Sequence, residues 1–252
     1  HPERYRVLDE ADIAQVIEWY AAAAVRAQQA GFDAVEVHCA HNYLIAGFLS
    51  PYFNQRTDGY GGSYENRTRL LREVLTEVRR RVGPDYPLWV RLDAEEMHTP
   101  GGIAMEEALQ TARLCEQLGV NAISVSAYAR LVRGSDFTDA PIPQQSGAYL
   151  AYAKAFKRAV GLPIIVAGRI EPEAGAAAIA AGEADFIAMG RKLLADPELP
   201  NKLIAGQPQA IRPCIYCYAC VSEIFVNRGI KCAVNAQTGH ELETPIVPAA
   251  TP

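Results

Sequence analysis

The sequence predicts an α/β protein of the (β/α)-barrel type. Short β-rich runs alternate with longer stretches of helical periodicity along most of the 252 residues. Several runs are continuously apolar, as strands covered on both faces are. The polar residues His38, Arg91, Ser126, Arg169 and Arg191 fall at or beyond the C-terminal ends of runs, where a barrel collects its chemistry. No Gly-x-Gly-x-x-Gly follows any run, which weighs against a dinucleotide-binding doubly wound sheet.

The first helix opens at Asp9, an N-cap type, carries Ile13, Val16, Ile17, Tyr20, Ala24 and Ala27 at helical spacing, and stops at Gly31. A strand over 33–38 follows. Residues 40–65 are rich in Tyr, Asn and Gly and form a long connection, a feature that is often functional. The next helix starts after Ser63, shows Leu70, Leu71, Val74, Leu75 and Val78 on one side, and closes at Gly83. Then come strand 88–92, helix 105–118, strand 122–126, helix 148–160, strand 163–167, helix 173–181 and strand 185–189. That makes five strands, each reached through a helix, and so a parallel sheet.

Half the residues are hydrophobic, 21% are charged and the net charge is −5. This is an ordinary globular composition without the basic stripe of a nucleic-acid binder. No apolar run reaches the roughly 18 residues a membrane helix needs. The first residues, His1-Pro2-Glu3-Arg4, do not read as a signal peptide. With reduced thiols, the cytoplasm is the expected location.

Four of the six cysteines form a Cys-x2-Cys-x2-Cys-x11-Cys cluster: Cys214, Cys217, Cys220 and Cys232. Three thiolates at this spacing converge on one centre and a loop returns the fourth, the way proteins hold a 4Fe-4S cluster. Four-cysteine zinc is the rival, although zinc favours two pairs; disulfides come third. Cys115 lies on the apolar side of a helix and Cys39 between loop histidines, where both read as packing residues.

The run His38-Cys39-Ala40-His41-Asn42-Tyr43 ends the first strand. Two imidazoles there can donate hydrogen bonds to a carbonyl oxygen, and a phenol can deliver a proton. A metal pair and plain loop polarity are the competing readings. Arg91 sits inside an apolar strand and needs an anionic partner, either a ligand or Asp93 or Glu95. Gly168-Arg169 and Gly190-Arg191 end the last two strands. Glycine lets backbone N–H groups approach a phosphate and arginine clamps it. The competing reading there is turn glycine with solvated arginine.

Three motifs together are His38-x-Ala40-His41-x-Tyr43-Leu44, Phe48-Leu49-Ser50-Pro51 and Arg56-Thr57-Asp58-x-Tyr60-Gly61-Gly62-Ser63-x-Glu65-Asn66-Arg67. They resemble the old yellow enzyme family. The cysteines resemble those of its iron–sulfur branch, the 2,4-dienoyl-CoA reductase and trimethylamine dehydrogenase group. The likeness runs from about Asp9 to Gly239. It implies a TIM barrel of which only the last five βα units are present, binding FMN. Arg91 would face the N1/C2-carbonyl edge of the flavin, and Gly168, Arg169, Gly190 and Arg191 its phosphate. The reaction implied is reduction of the C=C bond of an α,β-unsaturated carbonyl. His38 and His41 would hold the carbonyl oxygen, and Tyr43 would protonate the α-carbon. Two residues between the second and third cysteines match the amine dehydrogenases instead, so C–N oxidation stays open. A non-catalytic subunit that needs a partner is the other alternative.

The resemblance also implies organisation. Residues 1–205 would be a partial flavin barrel, 206–240 the cluster segment, and 241–252 a linker toward an FAD- and NAD(P)H-binding domain absent from this chain. The missing N-terminal strands, or a second chain, would close the sheet, and self-association is expected. The rim loops 94–104 and 127–147 would choose the substrate. The run 56–67 reads as structural, with Arg56, Asp58, Glu65 and Arg67 tying the loop by ion pairs.

Overall fold

The computed structural model describes residues 6–129 and 145–243. Most of the rim loop 127–147 and of the tail 241–252 lies outside the described residues. The chain divides into two compact units, residues 1–188 and 189–252.

In the first unit, α1 (Glu10–Gln29) opens on a capping box. Asp9 accepts the Asp12 N–H at 2.9 Å and Asp12 accepts the Asp9 N–H at 3.0 Å. Strand β1 (Val35–Cys39) follows. The connection over 40–65 is not wholly irregular, because it folds α2 (Leu44–Leu49) and then α3 (Tyr64–Arg67), capped by Ser63. Six residues carry under two turns of periodicity, which is why α2 escapes a pattern reading. The helix expected after Ser63 is interrupted at Thr68 before α4 (Arg69–Val82). There Leu70, Leu71, Val74, Leu75 and Val78 are fully buried, and Gly83 ends the helix at φ 85°.

Strand β2 (Leu88–Met97) continues beyond the expected end at Leu92, through an irregularity between Asp93 and Glu96. Its acidic C-terminal half hides the strand from an apolar-run search. After it come α5 (Met105–Gln117), β3 (Ala122–Ala129), α6 (Leu150–Ala159), β4 (Ile164–Val166), α7 (Pro172–Ala180) and β5 (Phe186–Ile187). All neighbouring strands pair in parallel, in the order β1-β2-β3-β4-β5. A doubly wound sheet reverses its order at a switch point. This one never does, so each βα unit steps sideways in the same sense, as in a barrel wall.

The two sheet faces differ in chemistry. Val37, Cys39, Val90, Leu92, Ile123, Val125, Ile164 and Val166 are buried. Alternating with them, and so on the opposite face, stand Glu36, His38, Trp89, Arg91, Ser124, Ser126 and Ile165. This second face carries the polar residues at the strand ends. Cys115 is fully buried on α5, as its place in the pattern predicts.

The second unit holds α8 (Arg191–Ala195), α9 (Leu199–Ile204), a 3₁₀ turn at Pro208–Ala210 and α10 (Ala219–Phe225). Buried Asp196 accepts from Lys202 Nζ at 2.6 Å and from the Arg212 N–H at 2.7 Å. The Leu194 carbonyl accepts from Asn235 and Thr238, both at 2.9 Å. These bonds tie the segment after the last cysteine to α8. Among the described residues no helix is long and apolar enough to cross a membrane.

Candidate active site and cysteine centre

The end of β1 turns sharply. His41 and Asn42 both adopt left-handed backbone, at φ 62° and 54°. Such a conformation costs an L-residue about 1–2 kcal/mol, least for Asn. Asp93 helps hold the turn, its Oδ2 accepting the His41 N–H at 2.5 Å. The chain then enters α2 at Tyr43. The turn folds three rings together: His38 lies 5.2 Å from His41, edge to face, and 5.1 Å from Tyr43, centroid to centroid. The sequence-predicted trio is therefore one cluster, with the Tyr43 ring largely exposed.

His41 is fixed from the far side as well. Its Nε2 is 2.6 Å from Ser126 Oγ on β3, and Asp93 Oδ1 is 3.9 Å away. Asp93 and Ser126 are register partners on adjacent strands, so two sheet positions hold one imidazole. Burial first, then the Arg91 charge and His38, pull the His41 pKa down to about 3. Burial and Arg91 also lower that of His38. Both rings are thus neutral near pH 7, each with one N–H to donate. Burial pushes the Asp93 carboxyl up to about 8, with Glu96 adding to the rise and Arg91 and the His41 N–H opposing it.

Arg91 is the register partner of His38. Among the described residues it forms no ion pair with Asp93 or Glu95; Glu95 instead accepts from the Tyr152 hydroxyl. Arg91 Nε and His38 Nδ1 are buried without a hydrogen-bond partner. Two orphaned polar atoms side by side on the polar face fit a ligand edge that carries acceptors. Further along the first unit, Gly168 takes φ 119°, a value reserved for glycine, and Arg169 takes 53°. The Arg169 carbonyl accepts from the Ser146 hydroxyl and from the Gly147 N–H. In the second unit a side chain added to Gly190 would meet nothing within 4 Å, so the chain leaves room there.

All four cysteines of the cluster line one small cavity with Arg191, Tyr216 and Tyr218. Tyr216 and Tyr218, interleaved with the first three cysteines, are left-handed at φ 53° and 61°. Alternating left-handed residues form the backbone nests that cradle anions, iron–sulfur centres among them. The Arg191 guanidinium lies 5.4 Å from the Tyr216 ring centre and 4.9 Å from that of Tyr218. Burial raises the Cys220 thiol, with neighbouring Cys214 adding to it and Arg191 opposing. Among the described residues no three His, Cys, Asp or Glu side chains are placed to hold a single metal ion.

One structural expectation needs correction. Arg56 does pair with Asp58, but Arg67 does not pair within its own loop. It reaches α5, where Glu107 takes it in two bonds of 2.6 and 2.8 Å. Glu96 escaped the sequence reading, Ser126 entered it only as a polar strand end, and Asp93 only as a possible partner of Arg91, not as site residues. The available signal was Asp93 itself, two residues after Arg91 and thus on the same sheet face. Glu96 accepts from Ser50 Oγ at 2.6 Å and from the Ile103 N–H at 2.9 Å, and so ties the rim loop to the turn after α2.

The family model for NADH:flavin oxidoreductases / NADH oxidases matches residues 2–210. The chain belongs to that family. It is 42% identical over 247 residues to a metal reductase of Desulforamulus reducens, covering 97% of this chain and 36% of the relative. It is 35% identical to a cinnamate reductase of Clostridium sporogenes, covering 94% and 38%. The structure of a 2-naphthoyl-CoA reductase in complex with 2-naphthoyl-CoA superposes with a TM-score of 0.89 at 34% identity, covering 94% of this chain and 36% of the other. The chain therefore spans about a third of the length of these three relatives. The family is one of flavin-dependent oxidoreductases, and its barrel accounts for the sequential parallel sheet.

Proposed function

We propose that the chain is the substrate- and FMN-binding part of an iron–sulfur ene-reductase that reduces the C=C bond of an α,β-unsaturated carbonyl with electrons from NAD(P)H. The observation that carries this reading is the His38–His41–Tyr43 cluster beside Arg91. Neutral imidazoles donate to a carbonyl oxygen without themselves being deprotonated, and so stabilise charge that builds there. Tyr43, exposed and packed on His38, delivers the proton to the α-carbon. Arg91 offers its orphaned Nε and its charge to the acceptor edge of the flavin ring. Gly168, Arg169, Gly190 and Arg191 are assigned to the flavin phosphate. Cys214, Cys217, Cys220 and Cys232 are assigned to a 4Fe-4S cluster, for which the shared cavity and the left-handed tyrosines speak. When bound, the flavin supplies hydride and the cluster supplies single electrons.

Two similar proteins act on conjugated substrates by name, a cinnamate reductase and a 2-naphthoyl-CoA reductase, which supports the substrate class. The cysteine spacing favours a second reading, C–N oxidation by an amine dehydrogenase on the same frame. Among the described residues β1 and β5 have one paired neighbour each, and such sheet edges call for further strands from the rest of a longer polypeptide or from a second chain. FAD and NAD(P)H would bind outside this chain, residues 241–252 would lead toward that domain, and the cytoplasm is the proposed location.

The test is anaerobic purification of the native protein, with assay of iron, acid-labile sulfide and flavin, followed by Tyr43→Phe. Iron, sulfide and FMN are expected together. The variant should lose alkene reduction by roughly 10²–10⁴-fold while its flavin is still reduced by an artificial donor. Zinc without sulfide, or equal turnover by the variant, would remove the reading. Oxidation of a secondary or tertiary amine without alkene reduction would move it to the amine branch.

A further inference from the structure

The hydrogen bonds behind the histidine cluster form a unit of their own. We propose that Asp93 and Ser126 are positioning residues that lock His41 into one ring orientation and one tautomer, leaving Nδ1 as the nitrogen that meets a substrate carbonyl oxygen. The inference deepens the proposed function and rests on it for the identity of the substrate.

The argument is geometric. His41 stands in left-handed backbone next to a second left-handed residue, so the turn is held by its contacts and not by intrinsic preference. Asp93 supplies one contact through Oδ2, from a position only 4% exposed. Ser126 supplies the other, at Nε2, from 2% exposure. Because the two are register partners, the spacing between the anchors is set by the sheet and not by the loop. With Nε2 engaged by Ser126, Nδ1 is the nitrogen left over. For Nδ1 to donate to a carbonyl oxygen, Nε2 must accept from the Ser126 hydroxyl, and that bond permits it.

Asp93 Oδ1 has no hydrogen-bond partner and lies near His41 Nε2. The charged or titratable groups facing this pair are Arg91 and Glu96 on β2, with His38 and Cys39 on β1. At neutral pH both His41 and Asp93 are uncharged. The acid therefore acts through its shape and its acceptor oxygen. An ionised Asp93 would instead attract a proton onto His41 and make it a cation.

The experiment uses the flavin-loaded native protein with cyclohexenone as the probe alkene, and three variants: Asp93→Asn, Asp93→Ala and Ser126→Ala. Long-range ¹⁵N–¹H NMR of the imidazoles reads the His41 tautomer directly, whatever the enzyme's activity. The native protein should show one tautomer protonated at Nδ1. Ser126→Ala and Asp93→Ala should show a mixture, with KM for cyclohexenone up about tenfold, the loss of one hydrogen bond. Asp93→Asn keeps the acceptor for the His41 N–H and should restore native tautomer and KM. An Nε2-protonated ring in the native protein overturns the proposal. So does a single unchanged tautomer in Ser126→Ala, which leaves the backbone anchor intact and decides the matter if Asp93→Ala does not fold. If the His41 signals respond as stated but no alkene is reduced, the positioning role stands and the proposed function falls.

Discussion

The rim of the sheet and the cysteine segment are organised in opposite ways. At the rim, three side chains are held by groups remote in sequence: His41 by Asp93 and Ser126, Ser50 by Glu96, Arg67 by Glu107. Asp93, Ser126 and Glu96 are buried strand residues, while Glu107 stands half-buried on α5. In the cysteine segment the four thiols fall within nineteen residues of sequence, counted from 214 to 232. Cys217 is exposed and the helices around it are short. The rim is preorganised by the fold; on the proposed iron–sulfur reading the cysteine segment would instead depend on what binds its thiols, because ligand binding and local folding are one equilibrium in such segments.

The largest effect that would sharpen this contrast comes from removing a thiol. If the proposed cluster is bound, Cys217→Ser, or iron chelation, should abolish amide protection around residues 212–235 while leaving the strands β1–β3 protected. Hydrogen exchange followed by mass spectrometry reads both at once, and uniform loss across the chain would break the comparison. Next in size is Arg67→Ala. It strips a bidentate partner from Glu107 and a donor from the Leu49 carbonyl, and should cost about 3–5 kcal/mol. Thermal denaturation measures it.

A third test is pH. The Asp93 pKa is raised in the folded chain, from 3.8 to about 8, so its stabilising contribution is complete below pH 4 and is lost as pH rises toward 8. The His41 pKa is depressed, from 6.5 to about 3, so its contribution is complete above 6.5 and is lost on acidification. Each changes stability by up to about 1.4 kcal/mol per pH unit. Between pH 4 and 6.5 the two slopes oppose each other. Above 6.5 only the Asp93 decline remains, a loss of roughly 2 kcal/mol by pH 8. Asp93→Asn should flatten that alkaline limb in urea titrations, and an unchanged limb would assign it to other groups. The smallest effect is expected from Ile204→Lys. That side chain is 86% exposed, and the change should stay within about 0.5 kcal/mol by the same titrations.

Much of this protein is legible without coordinates. The five strands, the helices between them and the parallel sense of the sheet follow from periodicity and apolar runs, since those patterns report which face each residue buries. The trio His38, His41 and Tyr43 is visible because it is contiguous, and the cysteines because their spacing is short. What stayed hidden lies across the sheet. No pattern within β2 or β3 says that Asp93 reaches the loop after β1, or that Ser126 meets the point above β1 where His41 turns back. Those contacts depend on register, and register is fixed only when neighbouring strands align their buried faces. Chain order thus determined which residues are present at the rim; tertiary structure alone decided which of them touch, and so which stay neutral and which are held still.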